Sequence, residues 1–168
     1  MDPIVHPPSA HLVAALALGC FLYSAGVFST LSFIEKPVWS LMRDPASPRA
    51  SDGDSRLIHA ELLRVIDLLP PTMMIAQGAA FVLIVLYAWL RGFDAPSLLI
   101  LAIYAVMQGW LVSRLGRTIR AAKGVPSDTG EIGAVRSTLR GLLVIHHGGL
   151  AMALTMTVLL VIALLGLV

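Results

Sequence analysis

Four stretches of the chain contain no Asp, Glu, Lys or Arg, and all charged residues except Asp2 fall in the segments between them. These stretches are residues 7–34, 68–90, 95–113 and 141–168. A helix needs about 20 apolar residues to cross the hydrocarbon of a bilayer, and it satisfies its backbone hydrogen bonds within one segment. The pattern therefore predicts four transmembrane helices, over residues 10–34, 71–91, 96–115 and 141–166.

A different pattern covers residues 55–69, where apolar positions recur at helical spacing. One face of a helix there would carry the apolar residues Ile58, Leu62, Val65, Ile66 and Leu69, and the other would carry Arg56, Arg64 and Asp67. Such a pattern predicts a short amphipathic helix on the cytoplasmic side. The predicted fold class is all-α, an integral membrane four-helix up-down-up-down bundle in a single transmembrane domain, 1–168.

The composition agrees with a membrane protein. Hydrophobic residues make up 57% of the chain and charged residues 13%, which is too little charge to cover a water-soluble domain of this size. A net charge of +2 without a basic patch among aromatics argues against nucleic acid as a partner. The lipid bilayer is the expected partner. A hydrophobic small molecule, a homo-oligomer and a larger membrane complex remain open alternatives.

The basic residues are distributed unequally. Of the twelve Lys and Arg residues, five lie between the first two stretches and six between the last two, while Arg91 alone lies between the second and third. Because basic residues concentrate in cytoplasmic loops, both long connections are predicted to be cytoplasmic. The chain is therefore predicted to be a multi-pass protein of the cell inner membrane, with its N- and C-termini on the periplasmic side.

The candidate site begins with two adjacent histidines, His146 and His147, inside the last uncharged stretch. Imidazole rings are costly to place in hydrocarbon, and ionisable groups there often mark functional sites. The predicted topology brings Glu35, at the end of the first span, and His59, on the amphipathic helix, to the same side of the membrane.

Three interpretations of these residues stay open. Glu35, His59, His146 and His147 are ligand types that suit a transition metal, and the two adjacent histidines also suit a haem or other cofactor. Alternatively, Glu35 and His146 perform acid–base catalysis on a lipophilic substrate that enters from the bilayer. In the third interpretation the histidines only hydrogen-bond across helices.

The third interpretation pairs Glu35 with Lys36 or Arg114 on the surface. The residues around the histidines add one expectation. His146 shares a helical face with the small or polar residues Gly149, Ala153 and Thr157, so it is the better candidate to point into the bundle.

The end of the first span, SAGVFSTLSFIEKP at residues 24–37, resembles the opening signature of the anthrone-oxygenase-like family. That signature has small residues, an apolar pair, Glu, a basic residue and Pro. Glu35 and Pro37 match it, and Lys36 stands where the family more often has His. Four spans, a long first loop and a histidine-bearing segment near the last span also agree.

The resemblance implies a membrane oxidoreductase or oxygenase that acts on a hydrophobic substrate at a polar site near the cytoplasmic face. In fungal members of the family the substrate is a polycyclic aromatic. The alternative, from a different class, is a non-catalytic membrane subunit or a metal- or haem-binding accessory protein.

The charge distribution yields a test of orientation. Alkaline phosphatase fused after the last residue should be active, because that enzyme folds only in the periplasm, and a fluorescent protein fused there should be dark. The same pair inserted in the connection 124–131 should give the opposite result. A fluorescent C-terminal fusion would contradict the predicted orientation.

Overall fold

The computed structural model describes residues 8–68 and 70–167, and every secondary-structure element in these residues is a helix. In chain order these are α1 Pro8–Glu35, a 3₁₀ helix Lys36–Met42, α2 Asp52–Leu68, α3 Pro70–Leu90, α4 Ala95–Lys123 and α5 Ile132–Leu164. The predicted all-α class is confirmed. Residues 1–7 of the predicted domain, Leu69 at the end of the predicted amphipathic helix, and Val168 lie outside the described part.

Helices α1, α3, α4 and α5 are long and apolar enough to cross a membrane, which makes the chain a multi-pass membrane protein. Around the bundle α1 packs on α3, α3 on α4, α4 on α5 and α5 back on α1. Ala10, near the start of α1, lies beside Tyr87 of α3 and Ala163 of α5, near the ends of those helices. Chain neighbours in the bundle therefore run in opposite directions, as an up-down-up-down topology requires.

A tight turn joins α3 to α4. Asp94 caps α4, since its Oδ1 accepts a hydrogen bond from the Ser97 amide at 3.0 Å, and its Oδ2 accepts from Arg91 Nε at 2.7 Å. Although burial of Asp94 raises its pKa, these hydrogen bonds from Ser97 and Arg91 outweigh it and leave the pKa below its usual value. Gly92 takes the left-handed conformation that closes the turn, at φ 65°.

Two of the spanning helices extend by eight residues or more beyond their predicted spans. α4 continues to Lys123, and α5 begins at Ile132, nine residues before the predicted fourth span. In this added segment Val135 and Leu139 are buried, whereas Arg140 is exposed, so the helix is amphipathic before it becomes wholly apolar. The segment after α1 is also helical: Val38 and Leu41 are both buried, three residues apart, which is the repeat of a 3₁₀ helix.

The bundle has one elaborated end, formed by the 3₁₀ helix, α2 and the connection 124–131; we call it the α2 end. Here α2 packs on α5 and on the 3₁₀ helix, with Ile58 and Leu62 buried against the same core cluster as Leu41 and Leu139. The predicted apolar face of α2 is confirmed at Ile58 and Leu62.

Three arginines link the segments of the α2 end by donating hydrogen bonds to backbone carbonyls. Arg136 donates to Ala50 O at 2.5 Å, and Arg140 donates to Met42 O at 3.2 Å. Arg56 donates to the carbonyls of residues 127 and 128, both at 2.9 Å. Because a guanidinium presents several donors in a fixed plane, each arginine can join loop segments that share no regular structure.

Candidate functional site

Glu35 is the last residue of α1, and it is fully buried. Because α1 and α5 are antiparallel, the end of α1 lies beside the first half of α5, where His146 is 8% exposed. Glu35 Oε1 is in hydrogen-bond contact with His146 Nδ1. Gly149 and Ala153, on the same face of α5, are buried as well. The expectation that His146 points into the bundle is thus confirmed.

Two glycines beside the histidines admit aromatic rings. A Cβ atom at Gly149 would lie 2.5 Å from the ring of Phe28, and one at Gly148 would lie 2.5 Å from the ring of Trp110. The Phe28 ring reaches α5 through this gap, and its centroid is 6.3 Å from that of His146. The Glu35–His146 pair therefore lies against apolar and aromatic groups, where water does not weaken it.

His147 is placed differently from its neighbour. Its Nδ1 donates to the Leu143 carbonyl at 2.9 Å and lies 3.7 Å from Glu35 Oε2, too far for a hydrogen bond. The ring meets Trp39 edge-on, with centroids 5.8 Å apart. The side chain of His147 is 27% exposed, whereas that of Glu35 is not exposed at all.

The contacts assign the imidazole protons. A carbonyl oxygen only accepts, so Nδ1 of His147 carries its hydrogen. An ionised carboxylate also only accepts, so we assign the hydrogen between Glu35 and His146 to Nδ1 of the ring. Each neutral ring then has its lone pair on Nε2. Among the described residues Glu35 Oε2 has no hydrogen-bond partner, which is rare for a buried carboxylate oxygen.

The predicted pairing of Glu35 with Lys36 or Arg114 at the surface is wrong. Lys36 is exposed, because one residue along a helix turns the side chain by about 100° away from the buried Glu35. Arg114 is exposed on α4, with its guanidinium 5.0 Å from the centre of the Trp110 ring. The hydrogen-bond partner of Glu35 is His146.

His59 is fully buried, and both of its ring nitrogens contact hydroxyl groups. Nδ1 lies 2.8 Å from Ser127 Oγ, and Nε2 lies 3.1 Å from Thr138 Oγ1. Thr138 donates its own hydrogen to the α5 backbone, so it accepts from Nε2–H, and Ser127 then donates to Nδ1. His59 thus joins α2 to α5 and to the connection 124–131, and its burial lowers its pKa.

Of the predicted metal or haem ligands, Glu35, His146 and His147 lie close together, whereas His59 lies apart from them. His59 contacts Thr138, which precedes His146 by eight residues, or about 12 Å along α5. The rings of His146 and His147 touch different neighbours, Phe28 and Trp39. In residues 8–68 and 70–167, no three His, Cys, Asp or Glu side chains form a group that could hold a metal ion. The described residues therefore do not form the predicted metal-ion site.

The sequence reasoning missed two residues of the site. Neither Trp39 nor Phe28 was among the candidate site residues, and the structure places Phe28 beside His146 and Trp39 beside His147. Phe28 precedes Glu35 by seven residues, two helical turns, so a signal for it existed in the helical repeat. The position of Trp39 depends on the 3₁₀ helix and had no such signal.

The fold and site define an all-α membrane bundle with a carboxylate–histidine pair buried near one end. Comparisons with protein-family models, with curated proteins and with solved structures found no match.

The buried His59 gives a pH-dependent prediction. Its pKa is lowered in the fold from the usual 6.5, so its stabilising hydrogen bonds are present above that pH and are lost as the pH falls below it. His59→Asn should cost about 1–3 kcal/mol near pH 8, and the difference from wild type should shrink toward pH 5. Thermal unfolding in detergent measures this.

Glu61→Gln, an exposed change on the same helix, is the control and should have little effect at either pH. If the difference in stability between wild type and His59→Asn stays constant between these pH values, the assignment of His59 as a neutral ring with two hydrogen bonds is wrong.

Proposed function

We propose that this protein is a membrane enzyme of oxidoreductase or oxygenase-like type. In it His146, held by Glu35, removes a proton from a hydrophobic substrate that reaches the site through the bilayer. We place the site near the cytoplasmic face of an inner membrane, on the support of the eleven basic residues in the two long connections.

One observation carries the proposal: a fully buried carboxylate uses one oxygen to hold His146 and leaves the other without a hydrogen bond among the described residues. A pair with a purely structural role would be more stable with both oxygens satisfied. Unsatisfied buried polar atoms are few in native structures, and a catalytic role is one recognised reason for such an atom.

The pair is suited to general base catalysis. Glu35 fixes the orientation of the His146 ring through Nδ1 and leaves the Nε2 lone pair to accept a proton. The carboxylate then stabilises the imidazolium that forms, as a carboxylate does in hydrolytic triads. In apolar surroundings this stabilisation is stronger than it would be in water.

The neighbouring rings favour a flat apolar substrate. Phe28 lies beside His146, Trp39 beside His147 and Trp110 against Gly148, and aromatic rings stack or pack edge-on against planar ligands. A carbon acid of this shape loses its proton to leave a carbanion that an oxidant can attack. In an oxygenase-like reaction molecular oxygen is that oxidant: one oxygen atom becomes the ketone oxygen, and the other leaves as water with the two hydrogens of the substrate CH₂.

Anthrone is a suitable probe, because it has one acidic CH₂ between aromatic rings. Wild-type protein in lipid nanodiscs should consume one O₂ per quinone formed, faster than empty nanodiscs. His146→Gln and Glu35→Gln should each lower the protein-dependent rate by about 100-fold or more, since a positioned base contributes that much. Oxygen uptake and quinone absorbance measure the reaction.

Glu61→Gln, an exposed carboxylate of α2, is the matched control and should retain the wild-type rate. Circular dichroism of each variant separates loss of catalysis from loss of fold, because removing one partner of a buried pair can cost about 3–5 kcal/mol. If folded His146→Gln and Glu35→Gln variants equal wild type, the proposal fails and the class of non-catalytic membrane subunits remains.

A further inference from the structure

A groove opens on the α2 end, between the 3₁₀ helix and the loop that follows it. Its volume is about 830 Å³, and its lining lies between Trp39 and Arg49. The first transmembrane segment ends at Val38, the residue before Trp39, so the groove begins where that span leaves the hydrocarbon. An amphiphile, with one apolar and one polar part, also resides at this level of a bilayer.

Two arginines in the groove differ from the three arginines of this end that bind loop carbonyls. Arg43 and Arg49 line the groove and are exposed, and among the described residues their side chains have no hydrogen bond or ion pair. By contrast, Arg56, Arg136 and Arg140 are bonded to loop carbonyls. Arg43 and Arg49 are therefore available to an anion.

The groove also contains a negative charge. The Asp44 carboxylate is part of its lining, with Oδ1 accepting from the Ala46 amide at 2.9 Å. Two guanidinium groups against one carboxylate leave a net single positive charge. A monoanion such as a carboxylate matches that balance better than a doubly charged phosphate.

One side chain lies between the groove and the residues next to the candidate catalytic pair. Trp39 lines the groove, and its ring meets His147 edge-on at 5.8 Å. His147 Nδ1 in turn lies 3.7 Å from Glu35 Oε2. Met42 adds apolar surface to the same lining. A ligand whose charged group pairs with the arginines can thus pack its apolar part along Trp39 toward the histidines.

We infer that this groove binds the carboxylate end of an amphiphilic substrate, with Arg43 and Arg49 as the residues that recognise its charge. The inference rests on the proposed function for the identity of the ligand as substrate, and it names the class: a lipophilic molecule with a single anionic group.

The test measures binding without turnover. In a Trp89→Phe/Trp110→Phe background Trp39 is the only tryptophan and reports on the groove. Dibromostearate and its uncharged methyl ester are titrated into the protein in phosphatidylcholine nanodiscs, at a pH where the acid is ionised. Both probes partition into lipid, so quenching is compared at equal mole fraction.

The acid should quench Trp39 saturably, at a mole fraction about tenfold lower than the ester, which corresponds to about 1.4 kcal/mol. Arg43→Gln/Arg49→Gln should remove this preference, and Arg43→Lys/Arg49→Lys should retain part of it. Arg117→Gln/Arg120→Gln, exposed arginines of α4, form the matched control and should leave it unchanged.

Equal quenching by the acid and the ester would overturn the inference. It would also be overturned if Arg117→Gln/Arg120→Gln reduced the preference for the acid as much as Arg43→Gln/Arg49→Gln does, because that result indicates general attraction to a basic surface. Competition by inorganic phosphate at the same concentration as the acid would overturn the choice of an amphiphile. If the protein binds the acid in a charge-dependent way but does not oxidise anthrone, only the proposed function is contradicted. If it oxidises anthrone but shows no charge-dependent binding, only the inference about the groove is contradicted.

Discussion

A buried carboxylate is the constraint on which the structure of this protein depends. Glu35 has no exposed surface, at the end of an otherwise apolar transmembrane helix, and an isolated ionised carboxylate there would be strongly destabilising. The His146 contact offsets that cost with a charge-assisted hydrogen bond. It also fixes the register of α1 against α5, the most extensively packed helix pair of the bundle.

The surrounding elements support this contact rather than supply it. The glycines of α5 admit Phe28 and Trp110, which close the apolar side, while the 3₁₀ helix brings Trp39 to His147. The arginine bonds to loop carbonyls and the hydrogen bonds of His59 hold the α2 end together around the pair. The site combines rigid helices with a polar pair in apolar surroundings, and rigid supporting elements are what the proposed proton transfer requires.

The sequence was sufficient for the architecture because hydrocarbon imposes a simple rule. Uncharged stretches of adequate length must be helices, and the short turn at Arg91–Asp94 makes α3 and α4 antiparallel neighbours. The same topology brought Glu35 and His146 to one end. His146 could be oriented from the small residues on its face, but nothing in the pattern fixed the ring of His147.

The remaining details depend on side-chain partners that no periodicity specifies. His59 was grouped with the metal-ligand candidates because it shares their side of the membrane, yet both of its nitrogens contact hydroxyls of residues distant in the sequence. Similarly, Lys36 and Arg114 were close enough in depth to pair with Glu35, but their helical faces point elsewhere. Depth in the membrane can be predicted from the sequence; the direction of a side chain often cannot.

The central claim is that Glu35 holds the Nδ1 hydrogen of His146 and leaves Nε2 as the base. Nitrogen-15 NMR of histidine-labelled protein in lipid tests it directly, since protonated and lone-pair nitrogens have distinct shifts. We expect a strongly hydrogen-bonded Nδ1–H and an unprotonated Nε2 for His146, with the Nδ1 signal displaced by Glu35→Gln and unaffected by Glu61→Gln. An Nδ1 signal that does not respond to Glu35→Gln would contradict the account.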